Sequence, residues 1–251
     1  MDLAEQYRRQ YGWRAWADAY DALPELAGAR VLDLGCAVGD QAAALARRGA
    51  QVVGVDGNEQ LLALAKARGI EGADFHAGDL RDPQVGDGFD GIWASFAAAY
   101  FPDFGHVLSR WSELLRPGGW IALTEVSGLF EHKPIPVAAQ QLLRHFARES
   151  AAAGRYDFDM GAKLTDFLSA AGFAVTLQRT LADRELSFEG PAEPEVLQAW
   201  AARLQRMHLL RQRAAQDCPS LADDLLACLG SADHSTQCRV HFVIATLTQR
   251  S

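Results

Sequence analysis

The sequence predicts an α/β fold, a doubly wound and mostly parallel sheet with helical insertions, and three observations carry that prediction. Short apolar runs alternate with helical patterns from residue 29 to residue 126. Glycines punctuate the ends of those runs, and acids stand at the ends of three successive strands. Strands separated by helices of roughly 10–15 residues need crossover connections, and so a parallel sheet covered on both faces.

Taken in order, the first 28 residues are aromatic and of mixed charge (Tyr7, Tyr11, Trp13, Trp16, Tyr20) and read as one or two helices, an N-terminal helical lid. Ala29–Leu34 reads as a strand, Asp40–Arg48 as a helix stopped by Gly49, and Gln51–Val55 as a second strand. Glu59–Arg68 turns Leu61, Leu62 and Ala65 inward as a helix and ends at Gly69. Asp74–Ala77 and Phe89–Ala94 are further strands, Asp103–Leu115 a helix, and Trp120–Val126 a strand after the turn Pro117-Gly118-Gly119. Beyond Val126 helices dominate: Pro136–Ala153, Ala162–Ala171, a long one over Glu195–Arg213 with a stripe Val196, Trp200, Leu204, Met207 and Leu210, and Leu221–Leu229. A strand opens at Gly172-Phe173 and runs through Leu177, and Arg239–Leu247 alternates as a final strand able to pair antiparallel at the sheet edge. The segments 127–159 and 183–236 are too long for plain loops and read as cap insertions in a single domain spanning 1–251. An interface between two copies, a homodimer, is the other use such insertions could have.

Composition narrows the function. The 251 residues are 49% hydrophobic and 22% charged, ordinary for a globular chain, with 24 Lys and Arg against 32 Asp and Glu, a formal net charge of -8. No basic stripe offers itself to a nucleic-acid backbone, so no nucleic-acid partner is expected. No apolar stretch is long enough for a membrane span, and the N-terminus has no apolar signal core, so no membrane association is expected. Cys36, Cys218, Cys228 and Cys238 form no C-x-x-C pair and read as free thiols in a reducing cytoplasm. His208 and His241 have no partner set at metal-ligand spacing apart from Cys238-x-x-His241, so no metal is expected.

The site is written into strand ends. The first strand closes in Val31-Leu32-Asp33-Leu34-Gly35-Cys36-Ala37-Val38-Gly39-Asp40, where glycines at 35 and 39 permit a sharp turn and close ligand approach. The second closes in Val53-Gly54-Val55-Asp56-Gly57, an acid placed to accept from a ribose diol. Asp79, in His76-Ala77-Gly78-Asp79-Leu80, follows the third. Three acids at one rim suit a ligand with an amine, a diol and an exocyclic N–H, and they repel phosphates. The dinucleotide fingerprint G-x-G-x-x-G is absent.

The strings VLDLGCAVGD, VVGVDGN, AGDL, FDGIWASF and LRPGGW, in this order over about residues 28–126, resemble the class I S-adenosylmethionine-dependent methyltransferases, those acting on small molecules. The resemblance implies a seven-stranded sheet with its last strand antiparallel. It implies that Asp33, Gly35 and Gly39 line the methionine moiety of S-adenosyl-L-methionine, with Cys36 in the same turn. Asp56 with Gly57 would hold the ribose, Asp79 and Leu80 would border the adenine, and Ser95 and Phe96 would face the sulfonium and the substrate. Ala37 stands where the family's middle glycine is usual, and Asn58 where an apolar residue often meets the adenine. The Asn-Pro-Pro-aromatic signature is absent after the fourth strand, which argues against DNA and protein-glutamine acceptors.

Glu125, at the end of the fifth strand, and His132, in the first insertion, are the candidate catalytic residues. His145 also lies in that insertion, while His76 and His106 read as structural or exposed. Phe130, Phe146, Tyr156 and Trp200 join His132 as candidate substrate-facing side chains. The expected activity is methyl transfer to an O or N atom of a small-molecule acceptor, possible in secondary metabolism. The alternatives are an NAD(P)-dependent oxidoreductase and a catalytically silent protein of the same fold that binds a partner.

Overall fold

A computed structural model describes residues 3–248; Met1, Asp2 and residues 249–251 of the expected lid and domain lie outside the described residues. The chain runs α1 (Leu3–Gly12), α2 (Trp16–Tyr20), β1 (Arg30–Leu34), α3 (Asp40–Ala46), β2 (Gln51–Asp56), α4 (Glu59–Ala67), β3 (Ala73–Ala77) and β4 (Phe89–Ser95). It continues with α5 (Phe104–Glu113), β5 (Leu115–Ser127), β6 (His132–Lys133), α6 (Val137–Ala152), α7 (Leu164–Ala170) and β7 (Phe173–Leu181). The last elements are α8 (Pro194–Arg206), α9 (His208–Asp217), α10 (Leu221–Leu229), β8 (Ser235–Thr236) and β9 (Arg239–Leu247).

Seven strands form one sheet in the order β3-β2-β1-β4-β5-β9-β7. The first five neighbours run parallel, and β9 enters antiparallel between β5 and β7. Chain order reverses between β1 and β4, the position at which open α/β sheets form a ligand crevice.

The two-residue period of the strands sorts the core into two layers. Val31, Trp93, Ala122, Phe242 and Ile244 face one side, with α2, α3 and the helices of the two long segments. Leu32, Leu34, Ile92, Ile121, Leu123 and Val243 face the other, where α5 and α7 bring Phe104, Leu108, Trp111 and Leu168. Both faces being covered, the strands read as near-continuous apolar runs.

Three boundaries depart from the sequence expectation. The long helix over Glu195–Arg213 is two helices, because Met207 leaves helical geometry at φ -79, ψ 69. No proline or glycine marks that break: α8 packs on α10 while α9 packs on α6, and the chain bends to serve both. The fifth strand starts at Leu115, before the Pro-Gly-Gly turn, with a register shift where Phe89 meets Leu115. The strand expected to end near Leu177 continues to Leu181 along β9.

The segment 127–159 carries β6 and α6, and the segment 183–236 carries α8, α9, α10 and β8. They are tied by the pairing of His132 and Lys133 with Thr236 and Ser235. Among the described residues no helix is long and apolar enough to cross a membrane.

Candidate active site

A cavity of about 590 Å³ opens where β1, β2 and β4 end, at the reversal of strand order. Its sheet side is lined by Asp33, Gly35, Cys36, Ala37, Asp56, Asn58, Leu80, Ser95, Phe96 and Ala97. Its far side is lined from α1 and α2, from the segment 127–159 and from the segment 183–236.

Asp33, next to the last residue of β1, is 1% exposed, and its Oδ2 has no hydrogen-bond partner. Burial, then the charge of Asp56, raises its carboxyl to about 8, so it is protonated at neutral pH. Asp56 ends β2 and organises the turn across from it: Oδ2 accepts from Ala37 N at 2.9 Å and Oδ1 from Asn58 N at 2.8 Å. Each oxygen retains a lone pair for a further donor. Asn58 caps α4, accepting from Gln60 N and Leu61 N, which explains a polar residue at this wall position.

Gly35 turns at φ 83, and a Cβ there would come within 3.4 Å of the Ala97 Cβ, 3.8 Å from Leu80. The glycine therefore keeps open the strip of cavity between those two side chains. Gly39 turns at φ 79 for a different reason: a Cβ there would stand 2.9 Å from the Phe75 ring. It serves helix–strand packing and does not line the cavity. The Cys36 thiol is buried, and burial raises its pKa. Ala37 holds φ 45 and Phe96 φ 56, left-handed conformations costly for residues with a Cβ. Such strain clusters at ligand sites.

Ser95 lines the cavity, and its buried Oγ has no partner. Leu80 also lines it, its carbonyl accepting from Trp111 Nε1 at 2.6 Å. Asp79 and Gly57 are not brought to the wall. Arg81 grips the Asp79 carboxylate with bonds of 2.7 to 3.0 Å at the surface, which lowers its pKa.

The far side contains what the sequence did not disclose. Arg14 places its guanidinium 4.7 Å from the Phe96 ring centroid and pairs with Asp183 at 2.7 Å and Glu185 at 2.9 Å. Arg203 also pairs with Glu185, and Gln10 donates to the same carboxylate. Trp16 and Tyr20 stack between Tyr11 and Trp93, and Tyr20 bonds Gln41. Only the aromatic content of residues 1–28 pointed this way.

The Glu125 carboxyl is 1% exposed; Oε1 accepts from Ala99 N at 3.1 Å, and Oε2 has no partner. Burial raises it to about 8; Tyr100 and Tyr156 beside it line the cavity, whereas Glu125 itself is not brought to the wall. His132 is not brought to the cavity. Its Nδ1 meets His234 Nε2 at 3.0 Å, its Nε2 meets the Leu129 carbonyl at 3.0 Å, and His234 Nδ1 meets the Gly190 carbonyl at 3.1 Å. Burial lowers His132 to about 3, and His234 is lowered too. His234, not singled out from sequence, thus adds a buried side-chain contact to the strand pairing that joins the two segments. Of the five expected substrate-facing side chains, Tyr156 lines the cavity, while Phe130, Phe146 and Trp200 lie in the core.

The donor set fits S-adenosylmethionine, the cofactor that the resemblance implies. An unpartnered buried carboxyl oxygen on Asp33 suits its ammonium, spare lone pairs on Asp56 suit a ribose diol, and Leu80 offers an apolar edge to a base.

Comparison with known proteins agrees. Residues 31–119 match the family model described as a methyltransferase domain. A trans-aconitate 2-methyltransferase of Deinococcus radiodurans is 35% identical over 134 residues, 53% of this chain and 49% of that protein. The chain thus spans about half the length of this curated relative. Among solved structures, an S-adenosylmethionine-dependent methyltransferase from Mesorhizobium loti aligns over 92% of this chain and 96% of its own, at 20% identity and TM-score 0.55. The [4+2]-cyclase SpnF aligns over 90% of this chain and 76% of its own, at 21% identity and TM-score 0.58. At such identities the likeness is one of fold, and a fold that also carries a cyclase does not by itself select the chemistry.

Proposed function

We propose, from the premise that residues 31–119 carry a methyltransferase domain of the class I S-adenosylmethionine-dependent family, that the whole chain transfers the methyl group to an O or N atom of a small-molecule acceptor. The observation that carries this reading is the buried, unpartnered Asp33 oxygen sharing one cavity wall with Asp56. When bound, the cofactor would supply an already activated methyl group: an acceptor atom attacking its carbon in line forms the new bond as the carbon–sulfur bond breaks and S-adenosylhomocysteine leaves.

The residues have mainly to bind, orient and exclude water, effects worth up to ~7–11 kcal/mol when two reactants are held in register. Asp33 and Asp56 hold the ammonium and the diol, Gly35 and Ala97 leave the room between them, and Ser95 and Phe96 border the reacting side. The insertions 127–159 and 183–236 and the helices of residues 1–28 act as the cap that keeps water out. Glu125 does not reach the cavity itself; once ionised, its raised pKa fits it to accept a proton passed through Tyr100 or Tyr156, which do line it. His132, through His234, holds the cap together. The four buried free thiols suit a reducing cytoplasm, the -8 net charge suits an acceptor other than a polyanion, and a role in secondary metabolism belongs to the same reading.

The test is calorimetric titration with S-adenosylhomocysteine and with NAD, followed by transfer of a labelled methyl group from S-adenosylmethionine to a panel of small acids, phenols and amines. Tight S-adenosylhomocysteine binding with transfer to a panel member supports the reading. Tighter NAD binding overturns it, and binding without transfer to any acceptor returns the chain to a silent binding protein.

A further inference from the structure

Three guanidiniums line the cavity, those of Arg14, Arg203 and Arg206. Two carboxylates answer them: Arg14 pairs with Asp183 and Glu185, and Arg203 with Glu185. For Arg206 no carboxylate lies within ion-pair distance among the described residues; its Nη1 donates to the neutral Gln6 Oε1. Arg206 is thus the one of these three guanidiniums that no carboxylate contacts among the described residues. Glu125 and Asp33 do not answer it, since burial keeps both largely protonated at neutral pH. The Asp56 carboxylate lines the same cavity, but it is engaged with the Ala37 and Asn58 amides and makes no ion pair with Arg206.

The surroundings describe what would sit there. Tyr100 and Tyr156 meet edge to face at 4.8 Å, and Phe158 lies 4.7 Å from Tyr156. With Leu129, Leu186 and Met207 they give this end of the cavity an apolar wall. Arg206 lines the cavity while keeping part of its side chain in solvent. The partial desolvation of its guanidinium and the neighbouring Arg203 both disfavour its charge, a cost that an anion placed between the two guanidiniums would remove. A guanidinium presents paired N–H donors matched to the two oxygens of a carboxylate. Asp56, on the sheet side of the same cavity, repels a phosphate dianion more strongly than a carboxylate monoanion.

We propose that Arg206, assisted by Arg203, anchors a carboxylate on an otherwise apolar acceptor. The proposal deepens the methyl-transfer reading above and rests on it. The competing use of Arg206, to hold the carboxylate of the cofactor itself, is separated by the test.

The experiment titrates trans-cinnamate and hexanoate, each against its methyl ester, into protein saturated with S-adenosylhomocysteine. The proposal expects at least one acid to bind about tenfold or more tightly than its ester, ~1.4 kcal/mol. Arg206→Gln should erase that preference, Arg206→Lys should restore part of it, and S-adenosylhomocysteine affinity should stay within about twofold, ~0.4 kcal/mol, in both variants. Because Arg206 is exposed, the variants should keep the wild-type melting profile. The proposal is overturned if the esters bind as tightly as the acids, if neither acid saturates at millimolar concentration, or if the preference survives Arg206→Gln. It is equally overturned if Arg206→Gln weakens S-adenosylhomocysteine instead, which would give the guanidinium to the cofactor. Failure of wild-type protein to bind S-adenosylhomocysteine at all sinks the methyl-transfer reading and is seen before any acid is added.

Discussion

At the sheet side of the cavity, Asp56 accepts from Ala37 and Asn58, 19 and two residues away. On the far side, Glu185 is held by Gln10 and Arg14, 175 and 171 residues away. Both carboxylates organise a wall of the same cavity, yet the first does so within one β-α-β unit and the second by joining the two ends of the chain. A local turn fixes its partners through backbone geometry, at little extra cost in chain entropy. A buried long-range cluster must instead offset the desolvation of every charge in it, which makes it sensitive to the loss of any member.

The largest expected effect follows from that contrast. Glu185→Ala would leave Arg203 without an acid and Arg14 with only Asp183, in a site where the glutamate side chain has no exposure. Breaking a buried pair from one side costs about 3–5 kcal/mol. A denaturant midpoint should drop accordingly, whereas Asp79→Ala, which removes an exposed carboxylate gripped only by Arg81, should leave it unchanged. Equal losses from the two variants would show that the distinction between the two sides is wrong.

Asp56→Ala reverses the comparison, with a modest effect on folding and a large one on the ligand. Loss of hydrogen bonds to a charged group costs roughly 1.5–3 kcal/mol, or about ten- to a hundredfold in the dissociation constant of S-adenosylhomocysteine. An unchanged constant in a folded variant would place the ribose elsewhere.

A third effect lies in pH. The Asp33 carboxyl, raised to about 8 from its ordinary 3.8, binds a proton in the folded protein that the unfolded chain releases. The stability this contributes is present below about pH 4 and is lost as pH rises through about 8. An ammonium placed against Asp33 favours the ionised form, so binding expels that proton and tightens as pH rises toward 8. Between pH 6.5 and 7.5 the gain should approach tenfold, ~1.4 kcal/mol, with proton release seen as a buffer-dependent calorimetric enthalpy. Asp33→Asn should flatten the slope; a slope that survives it assigns the proton to another group.

How much could be read from the sequence follows the same division. Asp33, Gly35 and Asp56 were legible because short turns with fixed spacing carry them, Leu80 and Ser95 came only through the family resemblance, and the structure brings all five to one wall. Asp79 shares their spacing but not their place, because Arg81 two residues on captures its carboxylate, a contact that spacing does not reveal. The antiparallel last strand was legible in its alternation, while the bend at Met207 was not, since it answers to packing on α10 and α6 and no residue type encodes it. Nothing in the sequence joined His132 to His234, 102 residues apart, or Arg206 to Gln6, 200 apart. Their contacts exist only once the segments fold over the sheet. That is also why aromatic stripes such as Phe130, Phe146 and Trp200 read as ligand-facing when they are core.

The smallest expected effect tests the sheet side on its own terms. Ala37 holds φ 45 between Gly35 and Gly39, in a conformation where its Cβ crowds the following carbonyl. Its backbone N–H is the donor to Asp56 Oδ2, so the strain is held by the contact that shapes the turn. Ala37→Gly removes the crowding at a cost of about 0.5–1 kcal/mol in unfolded-chain entropy, against roughly 1–2 kcal/mol of relieved strain. The balance predicts a gain of up to about 1 kcal/mol in stability, with the Asp56 contact and S-adenosylhomocysteine affinity unchanged within about twofold. A stabilised variant that binds less tightly would mean that the strain itself helps to present the turn to the ligand. A destabilised one would mean that the Ala37 methyl packs usefully against Ala4, Val38 and Leu61, the small cluster through which α1 meets the sheet rim. In that case the two sides of the cavity would be coupled at this residue.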